Sequence, residues 1–217
     1  MKHRFGALVA VALMLLSGCA KKAPYDYSAF HESKPRSILV LPPVSQSLDI
    51  KASHSVLAST SQPLAEAGYY VLPVAVVEET FMQNGLTTAG DIHAVSIEKL
   101  HQIFAADAVL YLDVVKYGTN YILLASETRV TINARLVDLR SGKLLWSGSG
   151  SASNNEGGNS NNGLLTQLIV AAVRQVVDTI NDKGFEIGAV ANNRLLSAGR
   201  EGGILYGPRS PKYTQQY

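Results

Sequence analysis

The 217 residues, 47% hydrophobic and 17% charged, leave room for one ordinary domain of roughly 100 to 150 residues with appendages, and they exclude a disordered chain. A single cysteine excludes an internal disulfide framework, a cysteine zinc cluster and a C-x-x-C redox pair, because each needs a second sulfur. The formal charge is +2, but Lys2 and Arg4 fall in a segment read below as removed, and the remaining 17 Lys and Arg face 17 Asp and Glu. Such a neutral balance implies neither nucleic acid nor an acidic membrane surface as partner.

Lys2 and Arg4 form a positive start, Ala7 to Leu16 is an unbroken run of ten apolar residues, and Leu16-Ser17-Gly18-Cys19 closes it with small residues. The run is too short to span a bilayer, which takes about 20 apolar residues, and it reads as a secretory signal. Its closing tetrapeptide resembles the bacterial lipobox. That likeness implies cleavage between Gly18 and Cys19 and a covalent lipid on Cys19, with Ala20 and Lys21 after it resembling the pattern sorted to the outer membrane. The domain organisation expected is a signal peptide over 1–18, a lipidated N-terminus and extended tether over 19–35, one α/β domain over 36–183 and a Gly-, Pro- and Tyr-rich extended tail over 184–217.

Ser37 to Leu41 is a strand candidate, apolar enough to be buried on both faces and stopped by Pro42-Pro43. Residues 50–67 have helical spacing that Pro63 should break or restart, with Gly68 as the end. Tyr69 to Leu72 reads as a short strand, and Val74 to Met82 as a helix with Val74, Val77 and Phe81 on one face. Ser96 is placed to cap a helix over 96–105. Asp107 to Lys116 predicts a strand, Gly118-Thr119-Asn120 a turn, and Glu127 to Asp138 a long half-buried strand. Arg140-Ser141-Gly142-Lys143 reads as a hairpin turn into a return strand that starts at Leu144-Leu145-Trp146. Ser147 to Gly163 is almost wholly Ser, Gly and Asn and is expected to be loop with a mobile tip. Leu164 to Ile180 gives a broad amphipathic stripe, of which Leu165, Leu168, Ile169, Ala172 and Val176 are the candidate partner contacts.

Catalytic signatures are sparse. His31, His54, His93 and His101 lack metal-site spacing, so no metal is expected. Ser96 to Lys99 matches S-x-x-K without the companion motifs of serine acylases, and a capping serine is the simpler reading. Glu78 with Asp107 is the other conceivable catalytic pair, against two ordinary charges. Ten of the sixteen aromatic residues are tyrosine, which suits half-exposed contacts.

The lipobox, Ile38 to Pro43, Gly68 to Pro73, Phe104 to Tyr111 and Val137 to Trp146 follow one another in an order that resembles a family of Gram-negative lipoproteins of the neisserial genome-derived-antigen type, a domain of unknown function. The likeness covers about residues 36–180. It extends to the N-terminal domain of the Tol translocation protein, the curli-secretion lipoprotein and a lipoprotein activator of a penicillin-binding protein. The resemblance implies an α/β fold with a mixed sheet, antiparallel in its C-terminal part and covered by helices. It also implies a non-enzymatic accessory role in envelope assembly, secretion or transport, without a cofactor and through an envelope protein partner or self-association. A small-ligand or glycan-binding lipoprotein beside a transporter is the alternative.

Overall fold

A computed structural model describes residues 24–122, 125–156 and 183–216. At its centre Ser37–Val40 (β1) lies between Tyr70–Val71 (β3) and Ala108–Lys116 (β4), parallel to both. Ile38, Leu39, Val40 and Leu41 are all fully buried, which is the two-sided burial that their unbroken apolar character predicts. Pro42 and Pro43 carry no N–H and interrupt the ladder, and Val44–Ser45 (β2) resumes it farther along β4. Ala125–Asp138 (β6) is antiparallel to β4, and Leu144–Ser153 (β7) pairs antiparallel with the opposite side of β6. The result is a mixed sheet, parallel at one side and antiparallel at the other.

Helices cover the two faces unequally. Lys51–Glu66 (α2) and Lys183–Leu196 (α6) lie on one face, where Val56, Leu64, Val190 and Leu195 join Ile38, Val40, Leu110, Ile132 and Leu136 in the larger core. Buried Asn192 ties the two helices together, its amide donating to Val56 O, Ser59 Oγ and Thr60 Oγ1. On the other face Val74–Gln83 (α3), Ala89–His93 (α4) and Ile97–Phe104 (α5) enclose a smaller core of Leu39, Leu41, Val77, Phe81, Leu100 and Val109. That cover stops at β4 and the end of β6. Beyond it Thr131, Asn133 and Arg135 of β6 and Ser147, Ser149 and Ser151 of β7 form a partly to fully exposed polar face.

Five expectations need correction. The expected tether folds from Tyr25 onward: Ser28–Ser33 (α1) buries Phe30, and Tyr25 and Tyr27 pack against the main core, because three aromatics supply enough apolar area to outweigh the ordering of a short segment. Pro63 does not break α2, which continues through it with Thr60, Pro63 and Leu64 buried. Gly118 does not turn the chain. With φ +115 it makes an irregularity, after which Thr119–Ile122 (β5) follows β4 along the same edge of β6.

Ser147 to Ser153 are strand, not loop, because the β6 ladder satisfies the inward-facing half of their backbone and Gly148 and Gly150 leave room for α6. A Cβ on Gly150 would lie 2.7 Å from both Ala191 O and Leu195 Cβ. The expected tail from 184 opens as α6 and then wraps the core, with Tyr69 Oη donating to Leu205 O at 2.6 Å and Trp146 Nε1 to Gly202 O at 2.9 Å. Thus the domain begins well before 36 and ends well after 183. The Ser96 cap stands as read, its Oγ accepting from Lys99 N.

Candidate functional site

β7 is one edge of the sheet, opposite β3. In an antiparallel ladder alternate residues turn their N–H and C=O toward the partner strand and away from it. In β7 Gly148 and Gly150 face β6, and Ser147, Ser149 and Ser151 face outward. Two of the outward groups are taken: Ser147 N–H donates to Tyr25 Oη at 2.8 Å, and Ser151 C=O accepts from Arg194 Nη1 at 2.9 Å. Between these clasps the outward N–H and C=O of exposed Ser149 meet no partner among the described residues. They open into a groove of about 640 Å³ lined by Tyr25, Ser147, Ser149, Arg194, Arg200 and Glu201 among others.

The elements that frame the groove are rigid for identifiable reasons. Tyr25 packs against Tyr27 with the rings tilted by 41° at a centroid distance of 4.8 Å, and Tyr27 Oη donates to Gly203 O at 2.5 Å. Arg194 projects from α6 and also meets Glu156 at 2.5 Å, while Arg200 Nη1 donates to Arg194 O. The groove therefore has polar walls and, at its floor, one strand segment whose outward groups meet no partner among the described residues.

His93 and His101, weighed as metal ligands, Asp107 of the conceivable catalytic pair and Asp138, which the sequence did not single out, make structural contacts. His93 Nε2 lies 2.9 Å from Pro42 O and His101 Nδ1 3.1 Å from Ala106 O, so each imidazole braces a loop. Burial pushes the His93 imidazole below its ordinary pKa, against the opposing pull of Pro42 O and Asp113. Asp107 accepts from Arg36 N, Ser37 N and Ser37 Oγ and holds the start of β1. Asp138, buried at the β6–β7 turn, accepts from Ser33 Oγ, Arg140 N, Ser141 N and Ser141 Oγ. Its burial opposes ionisation, but these hydrogen bonds and Arg140 outweigh that and hold the carboxyl down at about 2. No group of His, Cys, Asp and Glu among the described residues could hold a metal ion.

Cys19, Gly18 and the contact stripe of Leu165, Leu168, Ile169, Ala172 and Val176 lie outside the described residues. The groove residues Tyr25, Ser149, Arg194 and Arg200 were missed by the sequence reading. A signal for one of them was present: Trp146, Gly148, Gly150 and Ala152 alternate strictly with Ser147, Ser149, Ser151 and Ser153, a period-two pattern hidden by its lack of bulk.

A family model described as "Putative lipoprotein GNA1162-like" matches residues 25–209. The chain belongs to this GNA1162-like lipoprotein family. A Neisseria meningitidis serogroup B protein with the same kind of description, NMB1124/NMB1162, is 57% identical over 201 residues, 91% of this chain and 93% of the relative. The crystal structure of lipoprotein GNA1162 from Neisseria meningitidis is 58% identical, covers 67% of this chain and 100% of that one, and superposes with a TM-score of 0.56. The C-terminal domain of LpoB from Escherichia coli is far more distant, at 15% identity, 67% of this chain, 94% of that chain and a TM-score of 0.36, and at that distance the likeness says nothing about function. Membership in a lipoprotein family of the Gram-negative envelope implies membrane anchoring. No helix among the described residues is long and apolar enough to cross a membrane.

Proposed function

We propose that the protein is an outer-membrane lipoprotein facing the periplasm, acylated at Cys19 after cleavage behind Gly18, and that it works without catalysis or cofactor as an adaptor. Its partner is an envelope protein, which presents an extended segment to the β7 edge. The observation that carries this reading is Ser149, whose outward backbone N–H and C=O meet no partner among the described residues on the floor of a walled groove. Strand addition there supplies main-chain hydrogen bonds for affinity, and Arg200 and Glu201 give a charged rim for selectivity.

The test is a photo-crosslinking residue at position 149 in cells of the native host, with the linked products read by mass spectrometry. A reproducible envelope protein linked at 149, and absent when the probe stands at exposed Val76 on α3, is the expected result. The same products from both positions, or none from 149, would remove the adaptor reading at this edge. The small-ligand alternative draws on the same groove, but the Trp146 indole N–H on its wall is already given to Gly202 O and Arg194 to Ser151 O and Glu156. That leaves few convergent polar groups for a small molecule.

A further inference from the structure

Strands in sheets pair over several residues, about 3 to 10, so the outward groups of Ser149 by themselves are too short a ladder to hold an extended segment. Ser147, Ser149 and Ser151 each turn one N–H and one C=O away from β6. A segment that docks at Ser149 must therefore continue its pairing toward Ser147 or toward Ser151. Side chains occupy both directions. Tyr25 Oη accepts from Ser147 N–H at 2.8 Å, where the carbonyl of a neighbouring strand would stand, and Arg194 Nη1 donates to Ser151 C=O at 2.9 Å, where an amide would stand. Each clasp imitates only half of a strand pair: the C=O of Ser147 and the N–H of Ser151 meet no partner among the described residues.

The two clasps are held with unequal strength. Arg194 stands on α6 between buried Asn192 and Leu195, and the Nη1 that holds Ser151 C=O also meets the Glu156 carboxylate at 2.5 Å. It cannot swing clear without parting an ion pair as well as a hydrogen bond. Tyr25 is held by less. Its hydroxyl makes one hydrogen bond among the described residues, the one to Ser147 N–H, and its ring leans on Tyr27. Behind it the chain is fixed independently: Asp26 Oδ1 accepts from Ser28 N–H at 2.9 Å and from Ser28 Oγ at 2.6 Å, Tyr27 Oη donates to Gly203 O, and Phe30 of α1 is buried. Rotation of the chain ahead of Asp26 thus frees Tyr25 while α1 keeps its seat.

We infer that Tyr25 is a displaceable strap on the β7 edge. In the resting chain its hydroxyl stands in for a partner's carbonyl, and an incoming extended segment takes its place and pairs with Ser147 as well as Ser149. The inference deepens the adaptor reading and rests on it. A strap shortens the exposed ladder while no partner is present, which guards an open edge against indiscriminate pairing. It also makes the partner compete with an intramolecular hydrogen bond, so its removal tightens binding, whereas the loss of a contact residue would weaken it.

The test uses the full chain in cells of its native host, with the photo-crosslinking residue at 149 and Tyr25 either kept or replaced. Tyr25→Phe retains the ring and deletes the hydroxyl alone. The yield of the envelope protein linked at 149 should rise about fivefold, the effect of one hydrogen bond that no longer competes. Residue-resolved hydrogen exchange on the purified full chain gives a readout that needs no partner. The Ser147 amide, protected in the parent, should exchange about fivefold faster in Tyr25→Phe, while the Gly148 and Gly150 amides, which face β6, keep their rates.

A yield that falls or stays the same in Tyr25→Phe would overturn the strap and leave Tyr25 as a wall of the groove, with the adaptor reading intact. A Ser147 amide that is unprotected in the parent, or that keeps its protection in Tyr25→Phe, would overturn the strap as well. No linked envelope protein from either chain would remove the adaptor reading and the strap with it, whereas a product from Tyr25→Phe alone would support both.

Discussion

Strands β1 and β7 belong to one sheet and were built by opposite means. β1 is a run of branched aliphatics with helices on both faces, and Ile38, Leu39 and Val40 are sealed from water. β7 is made of serine, glycine and alanine after Trp146, with α6 pressed on one face, water on the other and its outer edge half open. The comparison teaches that the parallel half of the domain carries its stability in side-chain volume, whereas the antiparallel half carries it in backbone pairing and close approach. The half that lacks bulk is the half that retains, among the described residues, unpaired strand groups.

Removing volume next to β1 should have the largest effect. Leu110→Ala, at a fully buried position of β4, should cost about 3 kcal/mol in a denaturant titration; a loss below about 1 kcal/mol would show that the parallel half is not the stabilising one. Adding volume to β7 comes next. Gly150→Val should cost about 2 kcal/mol by lifting α6 from the sheet. Hydrogen exchange should then lose protection in α6 while β1 keeps it, and equal losses in both would erase the distinction between the halves.

The β6–β7 turn is tied to α1 by Asp138, which gives a third and pH-dependent effect. Its carboxyl falls from 3.8 to about 2 on folding, so the stabilisation is fully present above the unfolded value and is lost as the pH falls through the folded one. Asp138→Asn should therefore lower stability by about 2 kcal/mol near neutrality, and the gap from the parent should close between pH 3.8 and about 2. A gap that stays constant over this window would assign the loss to packing instead. The smallest effect belongs to the open edge. Ser149→Pro removes an outward N–H that no ladder uses, so the melting curve should move by less than about 0.5 kcal/mol while the cross-linked partner is lost; a large destabilisation would mean that the edge is internally paired.

Where bulk and periodicity agree, the elements were legible from the residues. β1, α3, α5 with its Ser96 cap, β4, β6 and the turn at Arg140 to Lys143 lie within a residue or two of their expected bounds. The misses share a physical cause. Tyr25, Tyr27 and Phe30 look like tether because a short aromatic segment has no period of its own and orders only on a surface built by distant residues. The stretch 147–153 looks like loop because a strand of Ser and Gly buries almost nothing by itself and is fixed by the β6 ladder. The groove inherits both difficulties, since Tyr25 and Ser149 are more than a hundred residues apart.

By itself the sequence determined the mixed α/β class, the succession of β1, α2, β3, α3, α5, β4 and β6, the lipoprotein family likeness and a central strand with no wet face, because each follows from local pattern or from composition. Tertiary structure alone decided which strand would lie at the outer edge, that the segments around Tyr25 and Leu205 would close onto the core and that Ser149 would have no partner among the described residues between its two clasps. Those outcomes depend on contacts between residues far apart in the chain, which local periodicity does not encode.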